Sequence, residues 1–194
     1  MADYRESIKN YIKEESNVLN NLPVDEINNV LNLLEKARLS HKRIFIFGNG
    51  GSASTASHFE CDFNKGVSYE QEEKYDFECL SDNVPMMMAI ANDISYNDIF
   101  LVTLRNKMKK GDIVIGISGS GNSENVIRAI KYANENGGIT IAFTGFDGGK
   151  VKKLAKYGIH INVNDMQITE DMHLVIDHLM MSVLSKCGTD IGIS

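Results

Sequence analysis

The residues best suited to chemistry stand at two strand-to-helix junctions and on two helices. The apolar run Ile113-Val114-Ile115-Gly116-Ile117 leads straight into Ser118-Gly119-Ser120-Gly121-Asn122-Ser123, and a helical pattern of Val126, Ile127, Ile130 and Ala133 follows. Glycines let the backbone turn tightly and bring its amides close to a ligand. Serine hydroxyls and the unpaired N–H groups of a helix N-terminus then converge on an anion. A monophosphate can be held by such neutral donors without a lysine. Ser123 could serve merely as a helix cap, but three serines exceed what a cap needs. A second junction, Gly48-Asn49-Gly50-Gly51-Ser52-Ala53, closes the run Ile44 to Phe47. It approaches the dinucleotide fingerprint, which wants an acidic residue about 20 positions on, at the end of the next strand. Here the next strand candidate ends near Leu80, with Asp82 after it, so no nicotinamide cofactor is expected. No Gly-Lys-Ser/Thr follows either turn, which removes a mononucleotide P-loop as well.

Ionisable side chains gather in two further places. His58 and Asp62 lie four apart on the helix that begins after Gly51, hence on one face. Glu170, His173, Asp177 and His178 fall on the last helix, whose expected core stripe is Met172, Val175, Ile176, Leu179 and Val183. These groups could act as an acid/base pair. They could equally ligate a divalent metal such as zinc through His58, Asp62, Glu170 and His178.

The elements that must position these residues are legible from periodicity. Short apolar runs at Ile44 to Phe47, Ile113 to Ile117 and Ile139 to Phe143, with weaker candidates at Tyr75 to Leu80 and Ile159 to Val163, read as buried parallel strands. Helical stretches separate most of them. The expectation is a three-layer, doubly wound α/β fold with a parallel sheet of five strands, ligands sitting beyond the strands' carboxyl ends. Two amphipathic helices precede it within residues 1–40, marked by Tyr4, Ile8, Tyr11, Ile12 and Leu19 and then by Ile27, Val30, Leu31, Leu34 and Ala37. They serve either oligomerisation or packing on their own domain. The polar stretch Asn64 to Lys74 reads as a solvated surface loop. The 194 residues fit one domain, with a sheet core over 43–188. A net charge of −6 without a basic stripe argues against a nucleic-acid-binding face. Three scattered cysteines (Cys61, Cys79, Cys187) suit a reducing compartment, and neither a signal peptide nor a membrane span is expected, so the reading is cytoplasmic.

Together these motifs resemble the phosphoheptose isomerases of the sugar isomerase (SIS) domain family. The resemblance rests on Gly48 to Ala53 with His58-Phe59, on Ala91-Asn92-Asp93 with Asn97-Asp98-Ile99-Phe100, on Gly116 to Ser123, and on Thr144-Gly145 with Asp147-Gly148-Gly149-Lys150. It spans essentially the whole chain. It implies a homotetramer with active sites at subunit interfaces, and aldose–ketose isomerisation of sedoheptulose 7-phosphate, or a related ketose phosphate, through an enediol. It assigns the substrate phosphate to Ser118, Ser120 and Ser123 with Gly119, helped by Asn49, Gly50 and Ser52. It adds Asp93 and Lys65 to the substrate contacts and makes His178 and Asp62 the catalytic pair. The sequence departs from the family pattern at three points: Asp62 replaces a glutamate, Glu170 a glutamine, and Lys65-Gly66 an arginine. Some SIS relatives are instead non-catalytic partners of the bacterial replication initiator. Retention of both His58 and His178 favours the enzyme.

Overall fold

Alternation along the strands decides which side of the sheet each helix covers. The computed structural model describes residues 2–187, and the strands are β1 (Ile44–Phe47), β2 (Phe77–Cys79), β3 (Ile113–Ser118), β4 (Ile139–Thr144) and β5 (Tyr157–His160). All pair in parallel, in the order β2-β1-β3-β4-β5. This is the doubly wound order with a switch point between β1 and β3. One face presents Ile44, Ile46, Ile113, Ile115, Ile117, Ile141 and Phe143, packed under α2 (Val24–Leu39), α3 (Gly51–Cys61) and α8 (Met166–Cys187). The other presents Phe45, Phe47, Val114 and Ala142, covered by α4 (Val84–Asp93), α5 (Ile99–Lys107), α6 (Glu124–Glu135) and α7 (Gly149–Leu154). Burial on both faces explains why these runs carry no polar alternation.

The two leading helices differ. α2 buries Ile27, Val30, Leu34 and Ala37 against the sheet. No residue of α1 (Arg5–Leu19) is buried within the described structure, and Tyr4, Ile8, Ile12 and Leu19 face outward. Its link to α8 is the Tyr11 hydroxyl, which donates to the Asp171 carboxylate.

Both sheet edges are closed by side chains. Asn64 accepts from Phe77 N–H and donates to its carbonyl, each at 2.9 Å, while Glu60 accepts from Cys79 N–H at 2.6 Å. On the far edge, Glu26 accepts from His160 N–H at 3.0 Å. A side chain that takes a strand's free N–H leaves less edge for another chain to pair with.

Three sequence expectations need correction. The stretch from Asn64 is no plain loop: Asp62–Val67 forms a π-helical continuation of α3, with Phe63, Val67 and Ser68 buried. β5 begins two residues before the expected Ile159 and ends at His160. The buried stripe of α8 is Ile168, Thr169, Met172, His173, Ile176, Asp177 and Met180, while Val183 is exposed. A stripe of apolar residues alone is rotated from this face because three of its members, Thr169, His173 and Asp177, are polar. Of the expected sheet core, residue 188 lies outside the described residues, as do the outermost positions of the chain, and Cys187 is not described beyond its backbone.

Candidate active site

β3 and β4 end in register, Ser118 opposite Thr144, so the loops that follow lie side by side. The loop after β3 turns on itself through Gly121 N–H to Ser118 O at 2.9 Å, with Gly121 at φ 63°. Its neighbour, the loop after β4, fixes it from outside: Gly145 N–H donates to Gly119 O at 2.8 Å and Val151 N–H to Gly121 O at 2.9 Å. The contact is so close that a Cβ on Gly121 would stand 2.0 Å from Gly148 O, and only glycine combines that approach with the left-handed φ. Ser118 is buried, and its hydroxyl lies 3.3 Å from that of Ser123. Ser123 occupies the N-cap position of α6, yet its side chain makes no capping hydrogen bond. The hydroxyl is therefore not spent on the helix, and the N–H groups of Glu124 and Asn125, the first two of α6, keep their capacity for an anion, while Val126 N–H is taken by Asn125 Oδ1. The Ser120 hydroxyl accepts from Asn122 N–H at 3.2 Å.

The loop after β1 joins this one through side chains. Asn49 and Asn125 exchange two amide hydrogen bonds of 2.9 Å each, and the Tyr96 hydroxyl donates to Asn49 Oδ1 at 2.9 Å. Ser52 is buried in the first turn of α3. Beside Gly48, Asn49 and Gly50 opens a mainly apolar cavity of about 260 Å³, reaching Met87, Met88 and Phe100.

From this end, α3 and α8 run side by side in the same direction. At the near end the Glu170 carboxylate lies against Gly51, where a Cβ would stand 2.1 Å from Glu170 Oε2. Two turns further, His58 and His178 meet, Nε2 to Nε2 at 3.0 Å with their rings edge to face. Asp62 Oδ2 lies 3.6 Å from His58 Nε2 and 3.9 Å from His178 Nε2. These three side chains form one of two groups among the described residues able to share a metal ion. Glu170, the fourth residue of the expected ligand set, is not brought to it. Eight residues separate Glu170 from His178, a rise of about 12 Å along a helix. The other group is Glu60, Cys79 and Asp82, where burial pushes the Cys79 thiol up to about 12 and so withholds its thiolate.

The remaining expected substrate residues lie apart. Asp93 is exposed at the end of α4, accepting from the Asn92 amide at 2.7 Å. Lys65 is exposed on the π-helical turn, on the order of 20 Å along the helix from Gly51. It lines a recess of about 370 Å³ with Tyr69, Gln71 and Met181.

Sequence reasoning missed three features. Asn125 and Tyr96 were not singled out, although Asn125 lies four residues before Ala129 on the inward face of α6, an unusual place for an amide. The burial of His173 and Asp177 was missed too. They lie one turn apart on α8, and neither has a side-chain hydrogen-bond partner among the described residues. Burial drives His173 down to about 4. Burial first, and then the charge of Asp62, push Asp177 up to about 8.

The SIS domain family profile matches residues 3–145. A Thermoplasma acidophilum protein named "Probable phosphoheptose isomerase" is 34% identical over 178 residues, 92% of this chain and 97% of that protein. The phosphoheptose isomerase of Aquifex aeolicus is 30% identical over 184 residues, 93% of this chain and 96% of its own. Among solved structures, the phosphoheptose isomerase of Neisseria gonorrhoeae is similar at a TM-score of 0.87 and 26% identity, over 95% of this chain and 100% of that one. Among the described residues, no helix is long and apolar enough to cross a membrane.

Proposed function

This chain belongs to the SIS domain family, and on that premise we propose that it interconverts sedoheptulose 7-phosphate, or a related ketose phosphate, with its aldose isomer. Its class is that of a sugar-phosphate isomerase, an aldose–ketose isomerase, and a non-catalytic scaffold is not favoured. The observation that carries the proposal is the pairing of α3 with α8. One end of the pair abuts the two phosphate-type loops, and two turns on the same helices bring His58, Asp62 and His178 together. Such a span suits a phosphorylated chain of several carbons, anchored at one end and reacting at the other.

In this reading Ser118, Ser120, Ser123 and the N-terminus of α6 hold the phosphate, while Asn49, Gly50 and Ser52 line the approach. Asp62 removes the proton from the carbon beside the carbonyl, and the resulting enediol takes a proton back on the former carbonyl carbon. His178 passes a proton between the two substrate oxygens, and His58, 3.0 Å away, orients its ring. Asp93 and Lys65, remote from this loop within one chain, serve a site completed by a neighbouring copy in a cytoplasmic homotetramer. The outward apolar residues of α1 and the closed sheet edges support assembly through helices. The whole chain then acts as one domain.

The same three side chains fit a zinc ion. Ligands about 2.0–2.1 Å from a tetrahedral centre lie about 3.3 Å from one another, close to the 3.0, 3.6 and 3.9 Å separations here. His58, His178 and Asp62 would hold the ion, and when bound it would polarise the carbonyl as a Lewis acid. The test is incubation with sedoheptulose 7-phosphate, following the aldose by NMR with and without added zinc, alongside the metal content of the purified protein. Turnover is expected, with up to one zinc per chain. No turnover on any ketose phosphate of five to seven carbons would overturn the reading.

A further inference from the structure

The amide pair between the loop after β1 and the first turn of α6 has its polarity fixed by the backbone. Val126 N–H donates to the side-chain atom of Asn125 at 2.9 Å, so that atom is the oxygen, Oδ1. The nitrogen of Asn125 therefore donates to Asn49 Oδ1, and Asn49 Nδ2 donates back to Asn125 Oδ1. An amide oxygen accepts through two lone pairs, and an amide nitrogen carries two hydrogens. Asn125 Oδ1 is filled by Val126 N–H and Asn49; Asn49 Oδ1 is filled by Asn125 and the Tyr96 hydroxyl. Among the described residues, this leaves Asn49 one N–H and no acceptor. Asn125 is only 2% exposed, so it does not meet a ligand directly.

We propose that Asn125 and Tyr96 are positioning residues that lock Asn49 into a donor-only state, so that Asn49 can serve an acceptor-rich anion but not a group that must donate to it. The proposal rests on the reading of this site as a sugar-phosphate site. It deepens that reading by naming residues which act on the substrate only through Asn49. Tyr96 reaches Asn49 from the 3-10 turn Tyr96–Asp98, so three segments of chain meet at one side chain. Without either partner, the Asn49 amide regains a free acceptor and its freedom to rotate, and both weaken its preference for a phosphate oxygen.

The test is a pair of double-mutant cycles read by inorganic phosphate binding in calorimetry, and by KM and kcat where there is turnover. Asn125→Ala should weaken phosphate binding and raise KM about tenfold, as loss of a charge-assisted hydrogen bond does, with kcat within about threefold. Tyr96→Phe should produce a smaller change in the same direction, about threefold. In an Asn49→Ala background neither substitution should add further loss, because both act through the amide already removed. If Asn125→Ala does not fold, the Tyr96 cycle decides alone, since Tyr96 is 57% exposed and Tyr96→Phe removes one hydroxyl. Additive losses, an unchanged phosphate affinity in Tyr96→Phe, or a wild-type protein that does not bind phosphate would each overturn the proposal. Coupled losses in phosphate binding without sugar-phosphate turnover would leave it standing while the proposed reaction fell.

Discussion

The loop from Ser118 to Ser123 is held by backbone hydrogen bonds and by a glycine-to-glycine contact with the loop beside it. The cluster of His58, Asp62 and His178 is held by two helices whose meeting histidines lie 120 positions apart. The first region is rigid because its donors are main chain and its turn admits one residue type. The second can be reshaped by any change in how α8 lies on α3. On the proposed function this contrast separates binding from chemistry within one site: the anchor is local, whereas the reacting end is assembled over long range. Substitutions at the two ends should therefore fail in different kinetic constants.

The largest effect is expected at the reacting end. His178→Ala should lower kcat about a thousandfold, within the range for a lost general acid or base. KM should change little, because the phosphate loop is untouched. Since His178 is exposed, its melting temperature should stay near that of the wild type. A variant that kept kcat and lost KM would break the division between the two regions. The mirror-image change is Gly121→Ala. A methyl group there meets the Gly148 carbonyl and must adopt φ 63°, so the loop has to move. KM should rise more than tenfold and stability fall by more than about 1 kcal/mol, while kcat at saturation survives. Steady-state kinetics with thermal melts on both variants would test the pair.

The same contrast explains what the sequence could and could not disclose. Strand, glycine turn and helix follow one another within about ten residues, so the Ser118 loop and the parallel sheet beneath it could be read from local spacing. Pairing His58 with His178 from the residues alone required knowing that α3 and α8 lie side by side, which no local pattern encodes. For this reason the four expected ligands are not all brought together within one chain. Glu170 shares a helix with His178, but two turns of rise carry its carboxylate to Gly51 instead. The inward turn of His173 and Asp177 was hidden because polarity ordinarily marks a solvent face. The Asn49–Asn125 pair joins residues 76 positions apart, and only the fold brings the loop after β1 to α6.

The smallest effect concerns the buried polar groups behind the reacting end, and it appears in stability rather than turnover. His173 is held near 4 in the folded chain against an ordinary 6.5, so between those values the unfolded chain binds the extra proton. Its contribution is present above about pH 6.5 and is lost as pH falls toward 4. Asp177 is held near 8 against an ordinary 3.8, so in that window the folded chain keeps a proton that the unfolded chain releases. Its contribution is present below about pH 4 and is lost as pH rises toward 8. The two slopes oppose each other between about 4 and 6.5 and largely cancel there. From 6.5 to 8 Asp177 acts alone, and stability should fall with rising pH by at most about 1.4 kcal/mol per unit. Asp177→Asn keeps the shape and removes the proton, so it should flatten the 6.5–8 limb and expose the His173 slope below 6.5. Gly121→Ala, at the end whose loop carries no titrating side chain, should be less stable at every pH yet keep the wild-type slope. Denaturant melts of the three proteins at half-unit steps of pH would decide it. A slope that survived in Asp177→Asn would place the proton elsewhere, and the reacting end would then share the pH indifference of the anchor.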